Sequence, residues 1–221
     1  MKQCLISKNS DTLLIFFTGW GCDEYEFEHL KSDCDVLLLY DYTNLNLDFD
    51  FSKYKNFDLI AFSAGVFTAS IFKFDFEINK KIAISGNPYL FDEHLGLSSE
   101  IQNILYNINE ENADYFARNY LIKTDDEWEN FRHSKRTFES CRVEFDSLKE
   151  IYKANKQNVK DIFDFAIIGD NDKIFNFSAQ KEFYGEKLFI AQNAGHNLFF
   201  RLENYEELFE RIKSWQEKIY C

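Results

Sequence analysis

Three stretches far apart in the chain carry residue types suited to nucleophilic acyl transfer. They are Ala61-Phe62-Ser63-Ala64-Gly65, Gly169-Asp170-Asn171-Asp172 and Ala194-Gly195-His196-Asn197. The first reads small-x-Ser-x-Gly, the pattern of a strand-to-helix turn tight enough to project a serine hydroxyl above a sheet, with Ala61 in place of the commoner glycine. Ser63 is a poor nucleophile until a base takes its proton, and His196 is the residue type for that work. A buried carboxylate must then hold the imidazole in the productive tautomer and stabilise its charged form. Asp172 is assigned that role. Asp170 is the alternative, since only one of two carboxylates so close in a turn can readily aim at His196. Taken singly, each stretch also describes an ordinary feature: a turn with a capping serine, a turn carboxylate, a loop histidine. Their joint occurrence in the chain order Ser, Asp, His carries the catalytic reading.

A tetrahedral intermediate needs donors aimed at its oxyanion. Gly19-Trp20-Gly21 closes an apolar run, and glycines on both sides of one residue free its amide to point into a site. The N–H groups of Trp20 and of Ala64, the residue after the nucleophile, are the assigned donors. His29, His94 and His133 have no partner pattern and read as surface or capping residues, and Gly86-Asn87-Pro88 reads as a turn at a strand end. No Walker-type loop, Gly-x-Gly-x-x-Gly or metal-ligand spacing occurs in the sequence, so neither cofactor nor metal is expected.

Short apolar runs must position these residues. They lie at 12–18, 35–42, 58–63, 81–87, 164–170 and 187–193, too short for helices and apolar on both faces, as strands of a covered parallel sheet are. Helical periodicity marks 64–74, 178–184 and 202–215, where Tyr205, Leu208, Phe209, Ile212 and Trp215 share one face. The expected architecture is α/β, a mainly parallel sheet with helices on both faces. The chain order of the three chemical residues is that of an α/β-hydrolase. Between the fourth and fifth runs lie about 75 residues of charged, helical-looking sequence, far more than a simple crossover needs. They predict a small helical cap over about 88–160, with helices at 101–108, 113–122, 128–138 and 145–152, inside one domain spanning 1–221.

Composition narrows the partners. The 221 residues carry 25 Lys+Arg against 38 Asp+Glu, a formal net charge of −13. Such a balance opposes general binding to nucleic acid or an anionic membrane, both of which reward basic surfaces. Five cysteines (Cys4, Cys22, Cys34, Cys141, Cys221) at irregular spacing read as reduced thiols, and no signal-peptide core or apolar span appears. A cytoplasmic location is expected.

The combination Phe16-Phe17-Thr18-Gly19-Trp20-Gly21, Phe62-Ser63-Ala64-Gly65, Gly86-Asn87-Pro88, a short cap and Gly195-His196 resembles the BioG-type esterases over nearly the whole chain. The resemblance implies hydrolysis of the methyl ester of pimeloyl-acyl carrier protein in biotin synthesis, with Ser63 as nucleophile, His196 as base and Asp172 as acid. A thioesterase or general short-chain carboxylesterase of the same fold is the alternative activity, and a non-catalytic binding protein the alternative class. The pimeloyl chain would need an apolar wall, for which Phe17, Phe62 and Phe199 are the candidates. The implied partner is itself acidic, so docking would need a local basic patch. Arg132, Lys135, Arg136 and Arg142 would supply one if they shared a helical face.

Overall fold

The computed structural model describes residues 1–219, with side chains through residue 212. Seven strands form one sheet: β1 Lys2–Ile6, β2 Thr12–Phe17, β3 Asp35–Tyr40, β4 Asn56–Phe62, β5 Lys80–Ile84, β6 Phe165–Gly169 and β7 Leu188–Ala191. Their spatial order is β1-β3-β2-β4-β5-β6-β7. All neighbours run parallel except β1 against β3. The apolar runs form strands because both of their faces are covered. Leu13, Ile15 and Phe17 of β2 point into one core, while Leu14 and Phe16 point into the other. β1 had no counterpart among the apolar runs. Its Lys-Gln-Cys-Leu-Ile sequence lies on a sheet edge and stays largely exposed, so it never needed the continuous apolar character that marks the others.

Among the described residues, seven α-helices complete the fold: α1 Ala64–Ile71, α2 Ser99–Tyr106, α3 Ala113–Phe116, α4 Asp125–Asn130, α5 Phe138–Asn155, α6 Phe177–Tyr184 and α7 Glu206–Ile219. α1 and α6 contribute to one core and α7 to the other, the latter through Leu208 and Ile212, with Tyr205 just before it. Trp215, expected on that same face, has a side chain outside the described residues, and Cys221 lies outside them altogether. α1 stops at Ile71, short of the expected 74, because the chain turns extended at Phe72 (ψ 141°). Phe72 and Phe74 then pack on Phe17 at ring-centroid distances of 5.7 and 6.3 Å.

Helices α2 to α5 all fall between β5 and β6. The expected helix over 128–138 is not continuous. α4 ends at Asn130, Phe131 is extended (φ −59°, ψ 136°), and α5 starts only at Phe138, capped by the Thr137 side chain. The break has a packing cause. Phe131 stacks on Trp128 at 5.3 Å and meets Phe200 at 5.1 Å, and Lys135 N–H donates to Asp23 Oδ2 at 2.7 Å instead of to a helical carbonyl. Arg132, Lys135 and Arg136 therefore sit on an irregular segment and Arg142 on α5, so the single basic helical face expected of these four residues does not form. No helix among the described residues is long and apolar enough to cross a membrane.

Candidate active site

β2, β4, β6 and β7 all end at the same edge of the sheet, where open α/β sheets place their sites. Between β4 and α1, Ser63 adopts φ 53° and ψ −120°, a conformation that costs a non-glycine residue about 1–3 kcal/mol. Tight packing enforces it. A Cβ on Gly65 would lie 2.3 Å from the Phe17 carbonyl oxygen and 2.4 Å from that of Thr18, so α1 meets β2 at backbone distance only because residue 65 is glycine. The Ser63 N–H is held by the Ile84 carbonyl at 2.9 Å.

The structure brings together three side chains from distant parts of the sequence. Ser63 Oγ lies 3.0 Å from His196 Nε2, and His196 Nδ1 lies 2.9 Å from Asp172 Oδ2. A carboxylate only accepts, so the proton belongs on Nδ1 and Nε2 is left to accept from the Ser63 hydroxyl. Asp172 is itself oriented, because its Oδ1 accepts the N–H groups of Ile174 (2.8 Å) and Phe175 (3.1 Å). The imidazole is 3% exposed and packs between Phe62 and Phe175. Asp170 turns elsewhere. Its oxygens accept the N–H groups of Asn193 (3.0 Å) and Ala194 (3.1 Å) and the Asn171 amide, which ties down the loop that carries His196. Burial alone would raise its pKa, but those donors outweigh it and hold Asp170 below the usual carboxylate range.

Among the described residues, neither the Trp20 nor the Ala64 backbone N–H has a hydrogen-bond partner. Ala64 opens α1, so its amide also sits at the positive end of a helix. Both residues line a cavity of about 420 Å³ that contains Ser63 and His196. Much of its wall is apolar and drawn from the segment between β5 and β6, including Leu90, Leu97, Leu105, Phe116, Phe145 and Leu148.

Of the three aromatic residues expected on the wall, Phe62 lines the cavity, whereas Phe17 and Phe199 do not. Phe17 alternates onto the α1 face of the sheet. Phe199 lies beneath the histidine loop against Phe16, Phe27 and Phe62. Both are fully buried core rings. The basic residues also part company. Arg136 is 5% exposed and ion-paired with Glu144 (2.5 Å) and Asp41 (3.2 Å), and Arg142 donates to the carbonyls of Tyr106 and Ile108. Arg132 and Lys135 remain exposed, and they flank His133 and Ser134 of the cavity lining.

Four features went unread in the sequence. His133 is exposed, as expected, but it also contributes to the cavity and is bonded to Asp114 Oδ1 at 2.7 Å. The apolar wall drawn from the segment between β5 and β6 had no motif. Glu26, 6% exposed and also in the lining, has its pKa pushed up to about 8 by burial. Glu144, fully buried, accepts from Gly21 N–H, Tyr42 N–H and Arg136. A signal for Glu144 did exist, as a carboxylate inside the helical stripe Cys141, Phe145, Leu148, Tyr152 that α5 buries.

A family model described as "Pimeloyl-ACP methyl esterase BioG" matches residues 1–208. The chain belongs to the BioG family. Among solved structures, BioG from Haemophilus influenzae superposes with a TM-score of 0.81 at 25% identity, covering 94% of this chain and 99% of that one. A lipase-esterase related protein from Clostridium acetobutylicum shares the fold with a TM-score of 0.61 at 18% identity over 96% of this chain and 98% of its own. A malonyl-[acyl-carrier protein] O-methyltransferase from Bacteroides fragilis is 31% identical over 169 residues, which are 73% of this chain but 34% of that protein's length. This BioG family member is thus an esterase with the α/β-hydrolase fold.

Proposed function

We propose that this chain is a serine carboxylesterase that hydrolyses pimeloyl-[acyl-carrier protein] methyl ester to pimeloyl-[acyl-carrier protein] and methanol in biotin synthesis. The observation that carries the reading is the hydrogen-bonded chain Ser63–His196–Asp172 opening into a cavity with a largely apolar wall, in a member of the BioG family. The relative named for methyl transfer to a carrier-bound acid supports a substrate of this chemical class.

In the first half-reaction His196 Nε2 takes the Ser63 proton as Oγ attacks the methyl-ester carbonyl carbon. The carbonyl oxygen becomes an oxyanion and accepts the N–H groups of Trp20 and Ala64. As the tetrahedral centre collapses, His196 returns the proton to the departing methoxide, and methanol leaves an acyl-Ser63 intermediate. Water, deprotonated by the same imidazole, then attacks that acyl carbon; as this second tetrahedral centre collapses its bond to Ser63 Oγ breaks, His196 returns the proton to Oγ, and the free acid leaves and ionises in solvent. Asp172 keeps Nδ1 protonated throughout and stabilises the imidazolium. The acyl chain runs along the apolar wall, with the carrier protein outside. Arg132 and Lys135 beside the cavity lining offer that acidic partner the local positive charge which the chain lacks overall.

The test is incubation with methyl pimeloyl-acyl carrier protein, followed by mass spectrometry of the carrier and assay of methanol and free thiol. Methanol release with the thioester intact is expected. Thiol release would instead make the protein a thioesterase, and turnover of small esters without the carrier substrate would make it a general carboxylesterase.

A further inference from the structure

The loop that offers the Trp20 amide is held by the segment lying over the sheet. Among the described residues, every hydrogen bond from residues 19–21 to another part of the chain ends on α5. The Gly21 N–H donates to Glu144 Oε2 at 3.0 Å, the Trp20 indole Nε1 donates to the Cys141 carbonyl at 2.7 Å, and the Cys141 thiol points at the Gly21 carbonyl at 4.0 Å. Gly21 has φ +75°, so the peptide after Trp20 is turned out of line with β2 and needs an external acceptor for its N–H. Glu144 supplies it from a fully buried position.

The same carboxylate reaches the next strand. Its Oε1 accepts the Tyr42 N–H at 2.9 Å, just beyond the end of β3. Arg136 neutralises it through Nη1 at 2.5 Å while Nη2 faces Asp41 Oδ1 at 3.2 Å, an ion contact without a hydrogen bond. Glu144 thus spans the ends of two adjacent strands from one point on α5. This is more than a stability pair would need, since a buried ion pair can often be replaced by apolar residues at no cost in stability.

We propose that Glu144 is a positioning residue for the oxyanion donor, fixing the Gly21 peptide so that the Trp20 N–H stays aimed into the cavity. The proposal rests on the reading of Ser63 as nucleophile and Trp20 N–H as donor.

The pair Glu144→Leu with Arg136→Met tests it, beside the conservative Glu144→Gln. Glu144 Oε2 meets two donors, Gly21 N–H and Arg136, and Oε1 meets one, Tyr42 N–H, so the new amide of Glu144→Gln sets its oxygen in the Oε2 place and keeps the Gly21 acceptor, whereas leucine offers none. With a p-nitrophenyl ester, kcat of the pair is expected to fall about 100-fold, as for loss of an oxyanion donor, at nearly unchanged KM, while Glu144→Gln retains most of the rate. Affinity for an alkyl boronic acid, which adds to Ser63 Oγ as a tetrahedral mimic, is expected to fall in parallel. The pair Glu144→Leu with Arg136→Met separates positioning from folding. It removes both buried charges together and is expected to stay folded with a lowered melting temperature, because the Gly21 and Tyr42 N–H groups lose their acceptor, and with kcat depressed. Wild-type kcat or wild-type boronate affinity in the folded pair, or a kcat in Glu144→Gln as low as the pair's, overturns the proposal. Ser63→Ala serves as the parallel control. If it retains turnover, the underlying reading falls and this inference with it, whereas an inactive Ser63→Ala beside a fully active Glu144→Leu, Arg136→Met pair overturns this inference alone.

Discussion

Asp172→Asn is the sharpest probe of the site, because the surrounding backbone dictates how the new amide must sit. Asp172 Oδ1 accepts two N–H groups, from Ile174 at 2.8 Å and Phe175 at 3.1 Å, and Oδ2 faces His196 Nδ1 at 2.9 Å. In the variant the amide oxygen must take the Oδ1 place. The reversed amide would set its NH₂ against two buried donors, each loss costing about 1–3 kcal/mol, so fewer than roughly one molecule in thirty adopts it. The NH₂ then points at Nδ1 and donates to it, which moves the imidazole proton to Nε2. Ser63 Oγ, 3.0 Å away, now faces an N–H donor and has no base. In a serine protease triad the equivalent change lowers kcat about 10⁴-fold, worth about 5 kcal/mol of barrier, and a loss of that size is expected here. Stopped-flow release of p-nitrophenol from an activated ester reads the acylation step, with circular dichroism and thermal melting as controls of fold. Asp170→Asn is the matched comparison. It keeps one acceptor for the Asn193 and Ala194 amides, so the histidine loop loosens and the rate falls about tenfold. Acylation by Asp172→Asn within tenfold of wild type, or a larger loss in Asp170→Asn, would refute the reasoning.

Four further outcomes follow from the packing and the charges. Gly65→Ala drives a methyl into the carbonyls of Phe17 and Thr18 at 2.3 and 2.4 Å. It is expected to cost about 1–3 kcal/mol and to lower kcat at least about tenfold by shifting the Ser63 turn; a melt and a rate equal to wild type would contradict the account of the turn. Glu26 has a folded pKa of about 8 against an ordinary 4.5, so the folded state keeps a proton that the unfolded state has released. Stability therefore declines as pH rises from the ordinary value to about 8 and is level above it, a loss of up to about 5 kcal/mol. Glu26→Gln removes that loss, and its melting temperature should exceed the wild type's by more at pH 8 than at pH 5; an equal gap at both would count against burial as the cause. Arg136→Met leaves the buried Glu144 without its ion partner and Asp41 with Lys2 alone and should cost about 3–5 kcal/mol in chemical denaturation. The exposed Arg132→Glu should change stability by less than about 0.5 kcal/mol and instead raise KM for the carrier-bound substrate over that for a small ester; the reverse pattern would return Arg136 to the surface.

The fold was legible because its strands are continuous apolar runs. A parallel sheet covered on both faces demands them, and six of the seven strands advertise that demand in β-branched and aromatic residues. β1 escaped because an exposed edge strand needs no such run. Helix ends were less legible. Nothing in the local sequence stops a helix at Asn130, and what breaks it is Phe131 packing on Phe200, a residue nearly seventy positions away. The basic stripe failed for that reason. Arg136 reads like any surface arginine until the break turns it inward onto Glu144 and Asp41.

By itself the sequence determined which residues could do acyl-transfer chemistry and which strand ends present them. The elbow, the Gly-Trp-Gly turn and the histidine loop are local patterns, set by backbone sterics within a few residues. Only the tertiary structure decided between the two carboxylates, since Asp170 and Asp172 differ in what surrounds them and not in kind. One is saturated by the amides of its neighbouring loop, and the other is left with an oxygen free to meet His196. The tertiary structure likewise decided the cavity wall. Side-chain direction alternates along a strand, so Phe62 faces the cavity while Phe17, at the end of the adjacent strand, faces the core.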